Sequence, residues 1–205
     1  HQLSERKDKP FVSLNCAAIP ENLLESELFG YEKGAFTGAV NNKKGLFLQA
    51  DKGMIFLDEV SEIPLPMQGK LLKALEEKEF YPLGAQKSVQ VDIRIVSASN
   101  KNIEKEVEEG GFRSDLFYRI HVIPIRMPPL RERREDIPLL VGHFLEKCAV
   151  KMNKQIKNIT PQALKKLMVH SWPGNVRELE NVIEFAVVMA REDVINEDML
   201  VITNQ

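Results

Sequence analysis

The chain has 205 residues and a formal net charge of -2, with 43% hydrophobic and 28% charged residues. That length holds one large globular domain or a medium and a small one, and the near-neutral charge excludes a global positive field that would draw the chain onto nucleic acid. No apolar run approaches the about 18 residues of a membrane span, and no leader pattern is present, so membrane insertion and secretion are not expected and a cytoplasmic location is.

In chain order, "PFVSLNC" (10–16) is short, apolar and bounded by proline, which predicts a buried strand. "PENLLESELFG" (20–30) opens on proline, carries early acids and ends on glycine, the start and stop signals of a helix. "GYEKGAFTGAV" (30–40) holds three glycines, two alanines and one large apolar side chain, Phe36. Glycine costs about 1 kcal/mol against alanine within a helix, and the run lacks strand alternation, so it predicts a mobile loop with Phe36 at its tip. "GLFLQADKG" (45–53) is ambiguous. "GMIFLDE" (53–59) is a continuous apolar run ending in two acids, the pattern of a strand buried on both faces. "PLPMQGKLLKALEEKEF" (64–80) places Met67, Leu71, Leu72 and Leu75 on one helical face. "YPLGAQKSV" (81–89) reads as a turn, "VQVDIRIVSASN" (89–100) as an alternating strand, and "HVIPIRM" (121–127) as another strand.

Strands alternating with helices predict a mainly parallel α/β sheet. After "PPLRERRED" (128–136) three amphipathic helical patterns follow with no strand between them, and Thr160 before Pro161 is an N-cap with proline at the first helical position. A boundary near 130–135 therefore divides an α/β domain, residues 1–132, from a small all-α domain, residues 133–205. Cys16 and Cys148 have no metal-ligand spacing and are expected as buried free thiols in a reducing compartment. His1, His121, His143 and His170 lie too far apart in sequence to suggest a zinc site.

Asp58 and Glu59 close the 53–59 strand at its carboxyl end, the edge where open α/β sheets bind ligands. An acid there suits a magnesium-associated aspartate, and its neighbour suits a base that polarises water; the same pair is equally what a solvated strand end looks like. Ser99 and Asn100 close the next strand and reach the same edge, or simply form its turn. Arg113 and Arg119, six apart in "GGFRSDLFYRI" (110–120), suit charge stabilisation in phosphoryl transfer, or ordinary surface positions. Arg177 in "SWPGNVRELEN" (171–181) suits phosphate contact, or an ion pair with Glu180.

Together "ELFGYEKGAFTGA", "GMIFLDE", "FRSDLFYRI", "PPLRERREDI" and "WPGNVRELEN" follow one order over nearly the whole chain. In that order they resemble the AAA+ central domain of bacterial sigma-54-dependent transcription activators of the NtrC type. The resemblance implies a P-loop NTPase-type parallel sheet sandwiched by helices, followed by a helical lid. It also implies an ATPase using ATP and Mg2+, a homo-oligomeric ring of six or seven copies, and sigma-54 of RNA polymerase as partner. It assigns Gly34, Ala35, Phe36, Thr37, Gly38 and Ala39 to the sigma-54 loop, with Phe36 and Thr37 in contact. Asp58 and Glu59 become the Walker B pair, with Asp58 on the metal, and Asn15 a switch that holds Glu59. Asn100 and Ser99 (threonine is usual there) fall in sensor I, Arg113 and Arg119 become arginine fingers, and Arg177 becomes sensor II.

One departure is large. The only Gly-Lys pair, Gly69-Lys70, lacks the spacing of a phosphate-binding loop and falls within a helical pattern. By resemblance that loop lies just upstream of His1, and the strand feeding it sits between the strands read at 89–97 and 121–127. The sequence is therefore expected to be a truncated version of a longer ATPase, binding ATP weakly as written because the backbone N–H cradle and its lysine are missing. The alternative is a non-catalytic fragment that keeps the sigma-54 loop and oligomer surfaces. An AAA+ helicase loader or clamp loader acting on DNA is disfavoured by "GAFTGA" and the slightly negative charge, and no DNA-binding domain is expected in this chain.

Overall fold

A computed structural model of the chain describes residues 1–156 and 158–202. Pro10 precedes the first strand, β1 (Phe11–Asn15), and Pro20 starts α1 (Glu21–Phe29). Gly30 ends that helix at φ +77°, where an added Cβ would lie 2.3 Å from the Lys43 carbonyl oxygen. β2 (Gly30–Tyr31) pairs antiparallel with β3 (Lys43–Lys44) and closes the base of the glycine-flanked loop. The ambiguous 45–53 stretch forms a short helix, α2 (Leu46–Gln49), ahead of β4 (Met54–Asp58). α3 (Leu65–Glu77) follows Pro64 and buries Met67, Gln68, Leu71 and Ala74. Gly69-Lys70 lies inside it, in agreement with its exclusion as a phosphate loop. β5 (Glu79–Phe80) and β6 (Val89–Gln90) form a hairpin around the expected 81–89 turn, and β7 (Arg94–Ser97), α4 (Ile103–Glu108) and α5 (Ser114–Ile120) follow.

These elements belong to the first of two compact units, His1–Pro124. Its main sheet runs β1-β4-β7, parallel throughout, with Leu14 beside Leu57, Asn15 beside Asp58 and Ile55 beside Ile95. One face packs on α1, α3 and α5 through Leu14, Leu24, Leu28, Ile55, Leu57, Leu71 and Leu116. The α/β class therefore stands, but the 53–59 run is not buried on both faces. Ile55 and Leu57 are buried, whereas on the opposite face Phe11 and Val96 remain 51% and 41% exposed.

Two strand expectations change. The alternating run 89–100 is split between two sheets, β6 and β7, because Asp92 leaves the ladder: its N–H donates to Asp51 and its carboxylate accepts from Arg6. Residues 121–127 form no strand at all, and Val122, Ile123, Ile125 and Met127 are 73%, 71%, 82% and 71% exposed. Strand order requires a partner for each N–H and C=O. Among the described residues no strand pairs with this segment.

The second unit is Ile125–Gln205, of which 157 and 203–205 lie outside the described residues. α6 (Ile137–Lys151), α7 (Pro161–Val169) and α8 (Asn175–Met189) surround buried Leu167, Trp172, Leu179 and Ile183. The Thr160 side chain accepts the Ala163 N–H, as expected of an N-cap. A small parallel ladder, β8 (Asn158–Ile159) with β9 (Val194–Ile195), corrects the expectation of no strand among these helices. Its runs are too short to give a periodic signal.

Lys154 caps α8: its Nζ donates to the carbonyls of Val187, Val188 and Ala190 at 2.8, 2.6 and 2.9 Å. An ammonium on orphan helix-terminal carbonyls offsets both lost hydrogen bonding and the helix dipole. Lys154→Met, which keeps the stem, is expected to destabilise the fold by about 1–3 kcal/mol with an unchanged urea m-value. Chemical denaturation measures this, and an unaltered midpoint would contradict the cap.

Candidate functional site

The candidate site lies at the carboxyl end of β4. Parallel pairing sets Asn15 directly beside Asp58, and Asn15 Nδ2 reaches Asp58 Oδ2 at 3.4 Å. Asn15 Oδ1 accepts the Ala17 N–H at 2.9 Å, which fixes the amide. Glu59 follows at φ +53°, ψ +49°, a left-handed conformation that costs a residue with a side chain about 1–2 kcal/mol. Two bonds hold it there: its N–H donates to Asp58 Oδ1, and its Oε2 accepts the Asn100 N–H, each at 3.1 Å. β7 thus delivers Asn100 to the carboxylate pair, as the two strand ends predicted. The expected contact between Asn15 and Glu59 is replaced: Asn15 bonds Asp58, because Asn15 and Asp58 share a register position while Glu59 turns toward Asn100.

The other expected residues are placed differently. The Ser99 hydroxyl pairs with Ser61 at 2.9 Å and accepts the Lys101 N–H, so it serves the turn itself. Arg113 forms a two-point pair with Asp115, at 3.0 and 2.7 Å, and that hydrogen-bonded guanidinium holds the Asp115 carboxyl below its ordinary range. Arg119 Nη2 donates to the Leu75 carbonyl at 2.8 Å. Neither arginine bonds the carboxylate pair. In the second unit Arg177 is exposed in the first turn of α8, and Glu180 pairs with Lys147 at 2.7 Å, which fills the ion pair considered for Arg177.

The glycine-flanked loop is closed by its own backbone. Gly34 N–H donates to Ala39 O, Ala35 N–H to Glu32 O and Ala39 N–H to Phe36 O, at 2.9, 3.1 and 3.0 Å. Gly34 and Gly38 take φ +85° and +103°, which other residues adopt only under strain. Ala39 is buried, Thr37 is exposed, and Phe36 is 44% exposed with its ring edge-on to Tyr31 at 5.0 Å. Ala35 rests on Gly84 of the 81–88 turn, where a Cβ would come within 2.8 Å of the alanine's own.

Sequence reasoning missed Tyr31, Ser61 and Gln68. Only Gln68 left a signal, as a polar residue three and four places before Leu71 and Leu72 on a face read as apolar. Among the described residues no helix is long and apolar enough to cross a membrane, and no cluster of metal-ligating side chains occurs. Both cysteines are buried free thiols.

A sigma-54 interaction domain matches residues 1–126 of the sequence. The chain belongs to the sigma-54 interaction domain family. An AAA+ ATPase lid domain matches residues 131–203 of the chain. It is 55% identical over 196 residues to the DNA-binding transcriptional activator HyfR of Escherichia coli K12, covering 96% of this chain and 29% of that one. It is 54% identical over 189 residues to the regulatory protein AtoC of the same organism, covering 92% and 41%. The structure of NtrX from Brucella abortus in complex with ATP superposes with a TM-score of 0.89 at 39% identity, covering 98% of this chain and 44% of that one. The chain thus spans less than half the length of each of these relatives.

Cys16 follows Asn15 behind the carboxylates and is 2% exposed. Burial, then the charges of Asp58 and Glu59, push its thiol up to about 12. A folded-state pKa raised above the unfolded value, about 8.5, means stability that is complete below that pH and lost as pH rises toward 12. Between pH 9 and 11 the wild type is expected to lose up to about 1.4 kcal/mol per pH unit more than Cys16→Ala. Urea melts of the two proteins check this, and parallel pH profiles would contradict it.

Proposed function

We propose that these residues form the sigma-54-engaging ATPase portion of a cytoplasmic transcription activator that works as a ring of identical copies and remodels sigma-54 RNA polymerase. The observation that carries the reading is the "GAFTGA" loop: a turn closed by its own backbone bonds that leaves Phe36 44% exposed and Thr37 exposed at the surface. An aromatic held that way contributes little to its own fold and offers apolar area to a partner, about 2 kcal/mol if fully buried. We take residues 1–132 as the α/β part and 133–205 as the lid.

The donor set at the β4 edge fits the metal side of a nucleotide site, since carboxylate oxygens suit Mg2+. Asp58 would hold the ion, steadied by Asn15 on one oxygen and the Glu59 N–H on the other. Glu59 has one oxygen on the Asn100 N–H, and its other oxygen is the base that takes a proton from water. Bound ATP would supply the phosphoanhydride whose hydrolysis drives the work. Arg113 and Arg119 are assigned to a neighbouring copy's site, and Arg177 to phosphate contact. The main phosphate cradle is not among these residues, so they complete a site rather than form it alone. The non-catalytic reading applies to residues 1–205 by themselves and differs in one measurement, ATP affinity.

Two expected outcomes test the reading. Phe36→Ala and Thr37→Ala, each alone, abolish sigma-54 capture while lowering stability by well under the about 3–5 kcal/mol of a buried Phe→Ala change. A large drop in Tm for Phe36→Ala with sigma-54 capture intact would make Phe36 a core residue and defeat the assignment. In the parent polypeptide, Glu59→Gln retains nucleotide binding and loses about 10²–10⁴ in hydrolysis rate, read as phosphate release. Normal turnover there would remove Glu59 from the chemistry.

A further inference from the structure

Gln68 is 0% exposed within α3, one of few polar residues buried in the first unit. Its Nε2 donates to the carbonyls of Ile63 and Gly111 at 2.8 and 3.1 Å, and its Oε1 accepts the Arg113 N–H at 2.8 Å. A buried amide is tolerated only when its polar atoms find partners. Here the partners are backbone groups from two separate segments. Ile63 closes the 3-10 turn Val60–Glu62, which leaves directly from Glu59. Gly111 and Arg113 lead into α5, with Arg113 at its N-cap. That Arg113 N–H lies ahead of the helix and has no intrahelical acceptor, so Gln68 supplies one.

α3 also meets the arginine's side chain. Arg113 Nη1 lies 3.6 Å from where a Cβ on Gly69 would sit, so the guanidinium crosses the helix at its glycine while its other edge pairs with Asp115. α3 therefore holds the Arg113 backbone through Gln68 and leaves room for the guanidinium at Gly69. A methionine or leucine at position 68 would fill the same space without any of the three bonds.

We propose that Gln68 is a positioning residue that joins the segment behind Glu59 to the backbone of Arg113, so that one buried amide sets where the arginine that a copy lends to its neighbour begins. This rests on the reading of Arg113 as an arginine finger. A shift in the Glu59 turn moves Ile63, and through Gln68 it moves the start of α5. The active site of one copy is in this way mechanically linked to the next around a ring.

The test uses Gln68→Met, Gln68→Glu, Arg113→Ala and the Gln68→Met/Arg113→Ala double variant. In the chain itself, amide hydrogen exchange at Arg113 is expected to speed up by about tenfold in Gln68→Met, because its acceptor is gone. In the parent polypeptide, Gln68→Met is expected to lower kcat about 10–100-fold with KM within about twofold, the effect of a misplaced catalytic group rather than lost binding. The double variant should hydrolyse no more slowly than Arg113→Ala alone, since both act through one arginine. Gln68→Glu keeps an acceptor for the Arg113 N–H and should fall between wild type and Gln68→Met; if Gln68→Met does not fold, the same measurements on Gln68→Leu decide. An Arg113→Ala variant at wild-type rate would overturn the finger reading and this proposal with it. A slow Arg113→Ala beside a wild-type kcat for Gln68→Met, unchanged Arg113 exchange, or a double variant that multiplies the two losses would overturn the role of Gln68 alone.

Discussion

Everything at the candidate site depends on the central position of β4. It is hydrogen-bonded on both edges, to β1 and to β7, and all three strands run in the same direction. Parallel pairing brings the carboxyl ends of the strands to one edge. Asn15, Asp58 and Ser97–Asn100 therefore meet there although they are separated by 43 and 41 residues along the chain at Asn15–Asp58 and Glu59–Asn100. Antiparallel pairing of the same strands would place one of these groups at the far end of the sheet. The apolar face beneath, with Ile55 and Leu57 buried, keeps that register from slipping, because a one-residue shift would turn both outward.

The same unit carries the glycine-flanked loop on a different device. Its conformation comes from local bonds and from two glycines with positive φ, and its footing from the 81–88 turn, where Gly84 leaves room for Ala35. Leu83 is bonded on both sides of this footing: its N–H donates to Gly30 and its carbonyl accepts from Glu32. The loop base and the hairpin turn are thus stitched by backbone, which leaves the side chains of Phe36 and Thr37 free of structural duty apart from the edge contact with Tyr31.

Much of this was legible in the residues. Pro20 and Gly30 bracket α1, Thr160 and Pro161 open α7, and the apolar run before Asp58 is β4, since these signals act within a few residues of chain. The fold class and the meeting of Asp58, Glu59 and Asn100 followed from strand order. What failed was set by distant partners. Alternation from Val89 to Ile95 could not reveal that Asp92 is drawn out of line by Arg6, 86 residues away. The apolar segment 121–127 has strand composition, yet composition does not supply a neighbour to pair with. Glu59 carries no sequence mark of its left-handed backbone, and the Asn15 amide chose Asp58 by register, which only the paired sheet defines.

The left-handed turn at Glu59 restricts what can stand there. Glycine or asparagine would relax that backbone and raise stability, and each would delete the longer carboxylate that reaches Asn100. Position 59 is therefore a place where a relaxed backbone and the carboxylate contact with Asn100 exclude each other.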